Sequence, residues 1–312
     1  MRHDLQEHPP DRRDVAGTAR YVPVLVLAIA GFSFAGPLTR LSEAHALTIA
    51  IWRLAFSLLV LLPLFLAERG WREWSRLSGR DLALALAAGL VLALHFWSWN
   101  ASVGLTSVAA SVVLVNLHPV IVAIASAAFL HEPPTRLQWL GIIIAMIGAL
   151  TIAGDAALEG LSATGRRALL GDGLAVVGAV TVAAYYLAGR RLRRTLGLWS
   201  YVALVYGTAL LVLLAIAALA SVPVLGQPRR ELAIFAALAL GPMLLGHTGM
   251  NWALKYLPAF VVSLAVLCEP VGATLLAALL PGIREIPALL TLAGGALVLA
   301  GIGLALPRRT AS

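Results

Sequence analysis

The sequence predicts an all-α integral membrane protein of ten transmembrane helices, arranged as two inverted five-helix repeats. Three observations support this fold class: the composition, the length of the apolar segments, and a residue pattern that recurs in both halves. Of the 312 residues, 60% are hydrophobic and 12% are charged, and the mean hydropathy is +0.90. A water-soluble domain of this size needs more polar surface than this composition supplies. We therefore expect the excess apolar side chains to face lipid.

Ten apolar segments approach the length of about 20 residues that a membrane-spanning helix needs. They are too long, and lack the period-two alternation, for the strands of a membrane β-barrel. The sixth segment is the weakest prediction, because it is short and contains Tyr185 and Tyr186. In order, the predicted spans are Val22–Leu41, Leu47–Leu66, Leu82–Ala101, Val108–Phe129, Leu137–Ile152, Gly173–Ala188, Trp199–Ala220, Ile234–Leu254, Phe260–Leu280 and Pro287–Leu306.

The basic residues predict the orientation of the chain. With the N-terminus in the cytoplasm, 16 of the 23 Lys and Arg residues lie on the cytoplasmic side and 6 outside, and Arg53 lies within a span. This bias follows the positive-inside rule. We therefore expect a multi-pass protein of the bacterial inner membrane with both termini cytoplasmic. Residues 1–20 and 307–312 are expected to form cytoplasmic tails, 21–153 the first repeat, 154–171 an external linker, and 172–306 the second repeat.

An internal repeat relates the two halves. The first three of its residue pairs are 151 positions apart and the last three are 153 apart. Each half contains five predicted helices, an odd number, so the second half is expected to insert with the opposite orientation. Inverted repeats of this kind are an architecture of secondary transporters. The pairs are Asn100 with Asn251, His118 with Glu269, Pro119 with Pro270, Glu132 with Glu285, Gly141 with Gly294, and Gly148 with Gly301.

The repeated segments resemble the EamA-type repeat of the drug/metabolite transporter superfamily. In the first half the resemblance rests on residues 106–111 running to Pro119, then His131-Glu132, Gly141 and Gly148. The second half matches with Glu269-Pro270, Glu285 and Gly294, and Arg53 also fits the family pattern. The resemblance covers about residues 22 to 306. It implies a ten-helix secondary transporter with a central cavity lined by helices 1, 3, 4, 6, 8 and 9, but it specifies no substrate, because members handle amino acids, other metabolites or drugs.

Ionisable side chains inside a bilayer are costly, and they usually face a cavity or each other. Glu269 precedes Pro270, which removes a backbone donor and exposes polar backbone beside a carboxylate. This residue either couples transport to protons or binds a substrate amine, or it forms a permanent pair with Arg53. His118, its repeat mate, either relays a proton or binds an anionic group, or it bonds to a neighbouring helix. The ionisable candidates are Arg53, His95, His118, His247 and Glu269.

Arg53 and several polar residues complete the candidate site. Arg53 either reaches the outer surface or binds a carboxylate with two hydrogen bonds, and the family pattern favours an internal partner. Asn100 recurs as Asn251, and an asparagine in lipid needs a partner on another helix or on a ligand. Tryptophans at span ends are either substrate contacts or part of the interfacial belt. The further candidates for substrate contact are Asn100, Asn251, Trp97, Trp99, Asn116, Tyr185 and Tyr186.

Other residues are expected to be structural. Glu132 and Glu285 are predicted to cap the N-termini of helices 5 and 10. Gly141 and Gly148, with their repeat mates, are predicted to form small-residue stripes for internal helix packing rather than a dimer face. Cys268 is the only cysteine, which excludes an internal disulfide and a multi-cysteine metal site.

The sequence contains no motif for an enzyme, and we predict no cofactor and no metal. Lys255, the only lysine, follows no glycine-rich loop, and Thr135 stands where a zinc-protease motif starting at His131 needs its second histidine. The net charge of +8 lies in loops between spans and does not indicate nucleic acid. We predict a monomeric or homodimeric secondary active transporter that moves an amino acid or related metabolite by alternating access, as an exporter driven by protons or by exchange. The alternatives are efflux of a drug or lipophilic cation and, in a different class, a polytopic membrane enzyme or a channel.

Overall fold

The computed structural model describes residues 21–106, 111, 114–160, 166–269, 271–272 and 289–305. Every regular element within these ranges is helical, as the sequence predicts. Two π-helices, Ser126–Leu130 and Ala239–Thr248, and a 3-10 turn, Val266–Cys268, continue or interrupt the α-helices. The α-helices are α1 Val22–Ser33, α2 Ala35–Leu41, α3 Ala46–Ala67, α4 Trp71–Trp74, α5 Gly79–Leu105, α6 His118–Ala125, α7 Arg136–Gly160, α8 Arg166–Leu192, α9 Leu198–Leu219, α10 Arg229–Leu238, α11 Gly249–Ala253, α12 Ala259–Ala265 and α13 Leu289–Ala305.

Six helical segments are long and apolar enough to cross a membrane, and they match predicted spans 1, 2, 3, 6, 7 and 8. Shorter apolar helices lie at the remaining four predicted spans. Parts of spans 4 and 9 and the ends of span 10 lie outside the described residues, as do Pro270 and Glu285. The count of ten therefore stays a prediction. The six segments are Val22–Leu41, Ala46–Ala67, Gly79–Leu105, Arg166–Leu192, Leu198–Leu219 and Arg229–Ala253.

The sixth span is longer than its sequence predicts. Residues 166–192 form one continuous helix, α8, although the apolar segment covers only residues 173–188. Tyr185 and Tyr186, which weaken its hydropathy, are both fully buried against other helices. Their polar hydroxyl groups therefore do not face lipid, and they do not oppose a membrane-spanning position.

Large apolar side chains are exposed on the outside of the bundle. Examples are Leu59 at 66%, Leu211 at 69% and Val180 at 51% of full exposure, on three different helices. Continuous apolar faces of this kind are unfavourable in water, whereas hydrocarbon solvates them without cost. These faces are the surface that contacts lipid.

Two breaks in the helices bring residues of distant spans together. Pro37 has no N–H to bond the carbonyl of Ser33 and its ring crowds that carbonyl, so α1 ends there and α2 starts at Ala35. Pro242 similarly lies inside the π-helix Ala239–Thr248, where the turns are wider than in an α-helix. The altered turns place the rings of Phe32 and His247 with their centroids 4.8 Å apart.

The helix contacts follow the internal repeat. α5 packs against α8, and their repeat counterparts, the π-helix Ala239–Thr248 and α1, also pack against each other. Two other contacts join an element to its own counterpart: α3 with α9, and α7 with α13. Exchanging the two repeats therefore reproduces the same set of neighbours, as expected for two similar halves related by a two-fold axis.

The predicted glycine stripes lie inside the molecule, where α7 crosses α13. A Cβ atom at Gly141 would lie 2.5 Å from the carbonyl oxygen of Gly301, and one at Gly148 would lie 2.6 Å from that of Gly294. No side chain fits at such distances, so the two backbones touch directly. The prediction of internal packing is confirmed, and the same residues that mark the repeat in sequence hold its two halves together.

We expect Gly141→Ala to lower the melting temperature of the detergent-solubilised protein by several degrees. The added methyl group forces α7 and α13 apart, a change that costs about 1–3 kcal/mol. Gly303→Ala is the control, because nothing lies within 4 Å of a Cβ atom at that position of α13. Alanine is the better helix former, so this control should leave the melting temperature unchanged or raise it slightly. Equal shifts in the two variants would contradict the packing.

Candidate functional site

A cavity of about 50 Å³ lies between helices of both repeats. A volume of this size holds a few water molecules and is smaller than an amino acid. Its elements are those expected from the family resemblance, with α3 added through Arg53. Eight of the predicted site residues line it: Arg53, His95, Trp99, Asn116, His118, Tyr186, His247 and Glu269. The apolar lining, which sequence analysis did not single out, is Phe32, Ala35, Phe96, Val115, Val182 and Val266.

Four predicted site residues do not line this cavity: Trp97, Asn100, Asn251, and Tyr185, whose hydroxyl bonds to Asn251. Trp97 is partly buried and packs against the hydrophobic core. Asn100 lies at one end of the bundle, where its Nδ2 donates to the carbonyl of Ala46 at 3.4 Å. Its repeat mate Asn251 is fully buried in a cluster of tyrosines towards the opposite end. The two asparagines therefore flank the cavity along the bundle.

Arg53 places a positive charge at the cavity, and no described carboxylate forms an ion pair with it. Its side chain is 1% exposed, and its Cζ lies 4.2 Å from the centre of the Phe96 ring. Its Nη2 approaches the sulfur of Met243 at 4.0 Å, and its Nε has no hydrogen-bond partner among the described residues. A cation–π contact and a sulfur offset only part of the cost of burying a guanidinium. The guanidinium of Arg53 is therefore able to bind an anion.

Glu269 is the only carboxylate that lines the cavity along the described part of the chain. It follows the 3-10 turn Val266–Cys268, at the position where α12 has already ended. Arg53 is close enough to interact with it electrostatically, but no ion pair within 4.0 Å joins the two among the described residues. In this conformation the cavity separates one positive and one negative group.

Three histidines surround the same space. His95 and His118 each direct Nδ1 at a backbone carbonyl, at 3.0 Å from Gly178 and 2.9 Å from Val115. A carbonyl only accepts hydrogen bonds, so Nδ1 carries the hydrogen in both rings. His247 packs edge-on against Phe96, with centroids 5.1 Å apart, and no described residue bonds to its Nδ1.

The three histidines lie apart from one another and from other potential metal ligands in the part of the chain that the structure describes. No group of three potential ligands is close enough to hold a metal ion among the residues that the structure describes. The imidazoles instead add hydrogen-bonding capacity to the cavity wall.

Several buried polar atoms of the cavity residues lack a partner within the described chain. They include hydrogen-bond donors on three residues of different elements: Arg53 Nε, Trp99 Nε1 and Asn116 Nδ2. All three side chains are at most 6% exposed. Buried donors without an acceptor are unfavourable, and in a native protein they usually have a function or bind a ligand.

A hydrogen-bonded network closes the cavity on the side of Asn251. The Nδ2 of Asn251 lies 2.5 Å from the hydroxyl of Tyr185 and 3.2 Å from that of Tyr206. The hydroxyls of Tyr206 and Thr248 are 3.1 Å apart, and Arg193 Nε donates to the carbonyl of Asn251 at 3.0 Å. Sequence analysis missed Tyr206 and Thr248, although the hydroxyl of a buried tyrosine usually bonds to a polar neighbour.

Beyond this network, Glu132 forms the core of a charged cluster. Its carboxylate lies 2.8 Å from Arg190 and 2.6 Å from Arg194, and Arg190 Nη1 also donates to the carbonyl of Leu254 at 2.8 Å. The expectation that Glu132 caps the following helix is wrong. Thr135 and Gln138 bond to each other's backbone N–H groups there, which leaves the carboxylate free for the arginines.

The opposite end of the bundle is closed more thinly. Arg40 Nη1 donates to the carbonyl of Val103 at 3.1 Å, and Val103 is the repeat mate of Leu254. A single layer formed by Ala35, Trp99, Val103 and Val115 separates the cavity from an open depression of about 520 Å³ around Asn100. Both ends therefore have an arginine bonded to a backbone carbonyl, but among the described residues the Asn251 end has more side-chain contacts.

A family model of the EamA-like transporter family matches residues 20–154 and again residues 169–306. The chain belongs to the EamA-like transporter family. The two matched segments are the two repeats, which confirms the resemblance found in the sequence. Membership makes the protein a membrane transporter of the drug/metabolite transporter type, for which a small-molecule substrate is expected.

The fold of this EamA-family protein also occurs among solved structures, of which 29 chains match. One crystal structure superposes with a TM-score of 0.73 at 18% sequence identity, over 92% of this chain and 97% of the other. At this identity the similarity concerns the fold alone. No curated protein matched the sequence.

The Glu132 cluster predicts a difference between its two arginines. In double-mutant cycles with Glu132→Gln, we expect Arg190→Ala to show a coupling energy above about 1 kcal/mol and Arg194→Ala one below it. The Arg190 and Glu132 side chains are 12% and 16% exposed, whereas Arg194 is 53% exposed and screened by solvent. Unfolding free energies in mixed micelles measure both cycles. Equal coupling would contradict the assigned geometry.

Proposed function

We propose that this EamA-family protein is a secondary active transporter that carries a small metabolite, an amino acid or a related compound, by alternating access. The observation that supports this most directly is the cavity between the repeats, which contains Arg53 and Glu269 unpaired. The proposed direction of transport is export from the bacterial cytoplasm, driven by a proton gradient or by exchange. Glu269 is the candidate for proton coupling, since the rare carboxylates inside a bilayer commonly serve as proton relays in transporters.

The exchange of helix contacts between the halves supports an alternating mechanism. If each half adopts the conformation of the other, the Asn100 end becomes the firmly closed one. The end at Asn251 and Glu132 then becomes the thinly closed one. The cavity then opens to the other side of the membrane. On this proposal the ten helices form two oppositely inserted repeats, and the Glu132 end faces the cytoplasm because the basic loops cluster there.

Efflux of a lipophilic cation is the second candidate. Phe32, Phe96 and Tyr186 give the cavity aromatic walls, and Glu269 supplies a negative charge, as a cation site requires. Arg53 in the same wall repels a cation, however, and the unpaired donors of Arg53, Trp99 and Asn116 need acceptors. A metabolite that carries an anionic group fits the lining better.

The first test replaces the two charged residues of the cavity. We expect Glu269→Gln and Arg53→Ala to abolish substrate uptake into proteoliposomes, at least tenfold below the unmodified protein, while membrane insertion and folding persist. The substrate is first found in an uptake screen of amino acids and amines, with and without a pH gradient. Glu43→Gln and Arg191→Ala remove the same charges at side chains that are 88% and 63% exposed, and they serve as matched controls. Unchanged rates in both cavity variants would remove these residues from the mechanism.

The second test measures the orientation of the repeats. Ser75, in the turn after α4, and Arg229, the first residue of α10, are both exposed and lie at similar places of the two halves. In a Cys268→Ser background, we expect Arg229→Cys to react with a membrane-impermeant maleimide in intact cells. Ser75→Cys is expected to react only after permeabilisation, since inverted repeats put corresponding loops on opposite sides. Labelling of both cysteines from the same side would mean that the halves are parallel.

A further inference from the structure

We propose that residues 69–76, around the short helix α4, form a docking surface for the headgroup of an anionic phospholipid. This α4 surface joins α3 to α5, at the same end of the bundle as the Glu132 cluster. The inference concerns the contact between the protein and its membrane. It holds whatever substrate the cavity accepts.

The α4 surface is fixed against the start of α9. Glu73 Oε2 accepts a hydrogen bond from the backbone N–H of Gly197 at 2.7 Å, and Trp74 Nε1 donates to the carbonyl of Ser200 at 3.0 Å. The hydroxyl of Ser200 in turn donates to the carbonyl of Gly70 at 3.1 Å. A helix of one turn is unstable alone, so these bonds to α9 determine which side chains it presents outward.

Three arginines share the outward face of these turns. The backbone N–H of Arg72 bonds to the carbonyl of Arg69 at 2.9 Å, which places the two residues one turn apart, and Arg76 follows after one more turn. All three side chains are exposed. No ion pair within 4.0 Å joins any of them to a carboxylate of the described chain. The face therefore presents positive charge that the protein itself leaves uncompensated.

The backbone at Arg69 shows that the turn does not require an arginine. Its φ is 54°, in the left-handed region where a glycine usually ends a helix. In the second repeat, Ser221 follows α9 as Arg69 follows α3, and it has the same φ of 54°. Residues 221–228 after α9 contain neither a basic residue nor a tryptophan. The same turn forms without them, so their presence at one end of the bundle indicates a partner at that end.

Trp71 places the α4 surface at the level of the lipid headgroups. Its side chain is 43% exposed, and its ring lies 6.0 Å from that of Phe65 near the end of α3. Leu64 and Leu66, beside Phe65, are exposed as parts of the apolar outer surface. Tryptophan prefers the boundary between hydrocarbon and headgroups. The long arginine side chains next to this boundary can reach lipid phosphates.

The charge of the α4 surface favours a lipid with net negative charge. A guanidinium binds a phosphate through two parallel hydrogen bonds, and several arginines near an anionic membrane surface add their attractions. Of the nearby carboxylates, Glu73 is bound to α9 and Asp81 lies 4.0 Å from Arg191, which leaves Glu68 beside the three arginines. Phosphatidylcholine carries an ammonium group that the arginines repel, whereas phosphatidylglycerol does not. We therefore expect phosphatidylglycerol to bind in preference.

The test titrates the purified full chain in detergent with phosphatidylglycerol, phosphatidylcholine or soluble glycerol phosphate, and follows the melting temperature. A ligand that binds only the folded protein stabilises it. We expect phosphatidylglycerol to raise the melting temperature by several degrees and the other two to leave it nearly unchanged. Equal stabilisation by phosphatidylcholine would indicate a response to any lipid, and stabilisation by glycerol phosphate would indicate a site for free anions. Either result would overturn the proposal.

A pair of substitutions locates the lipid. Arg72→Gln with Arg76→Gln should raise the half-saturating concentration of phosphatidylglycerol roughly tenfold, because each arginine near the anionic surface contributes to the attraction. Arg166→Gln with Arg229→Gln removes the same charge at exposed positions of the opposite end, and it should leave that concentration unchanged. An equal effect of the two pairs, or no effect of the first, would contradict docking at the α4 surface.

Glycine substitutions separate lipid binding from folding. Arg69→Gly and Ser221→Gly should each keep or raise the melting temperature without lipid, since glycine adopts a positive φ without strain. Arg69→Gly should weaken the response to phosphatidylglycerol, whereas Ser221→Gly should retain it in full. An Arg69→Gly protein that melts lower without lipid, or that responds to phosphatidylglycerol as the unmodified chain does, would show that this arginine serves the fold rather than the membrane.

Discussion

An arginine side chain keeps its charge at every pH that a cell encounters, and Arg53 holds that charge inside a bundle of apolar helices. The described chain gives it the face of Phe96, the sulfur of Met243 and the distant charge of Glu269, and no bound carboxylate. Such a group stays buried only if the surrounding helices are packed firmly enough to hold it there. The glycine contacts between α7 and α13 and the tyrosine cluster around Asn251 supply part of that rigidity. The cavity is therefore an unsatisfied polar site inside an otherwise well-packed protein.

The internal repeat explains both the likeness and the difference between the two ends of the cavity. Arg40 and Arg190 each bond to a carbonyl, and the two carbonyls belong to repeat mates, Val103 and Leu254. At the Asn251 end, tyrosines and the Glu132 cluster reinforce this contact. At the Asn100 end, one apolar layer borders an open depression. Two similar halves with unequal closures are what a protein needs if it opens one side of a membrane at a time.

His118 and Glu269 are repeat mates with different chemistry. They occupy the same place in the two halves, and both side chains reach the one cavity that the halves share. Because both of these repeat mates line the same cavity, the difference between them makes the cavity asymmetric. The carboxylate gives one wall a negative charge, while the imidazole gives the other wall a hydrogen-bonding group that donates through Nδ1 to the carbonyl of Val115. The apolar residues between them set which molecules fit.

The sequence by itself determined the helical membrane fold, the family and the internal repeat, because hydropathy, basic loops and repeated residues are local or periodic signals. It also identified most polar residues of the cavity, because an ionisable group in an apolar span is costly and usually faces a cavity or a partner. Only the tertiary structure decided which of them meet. It placed Asn100 and Asn251 at the two closures rather than at the cavity, joined Glu132 to Arg190 instead of the helix cap, and left Arg53 apart from Glu269. These outcomes depend on how the helices rotate, bend and pack against one another, which sets the distances between residues far apart in the chain.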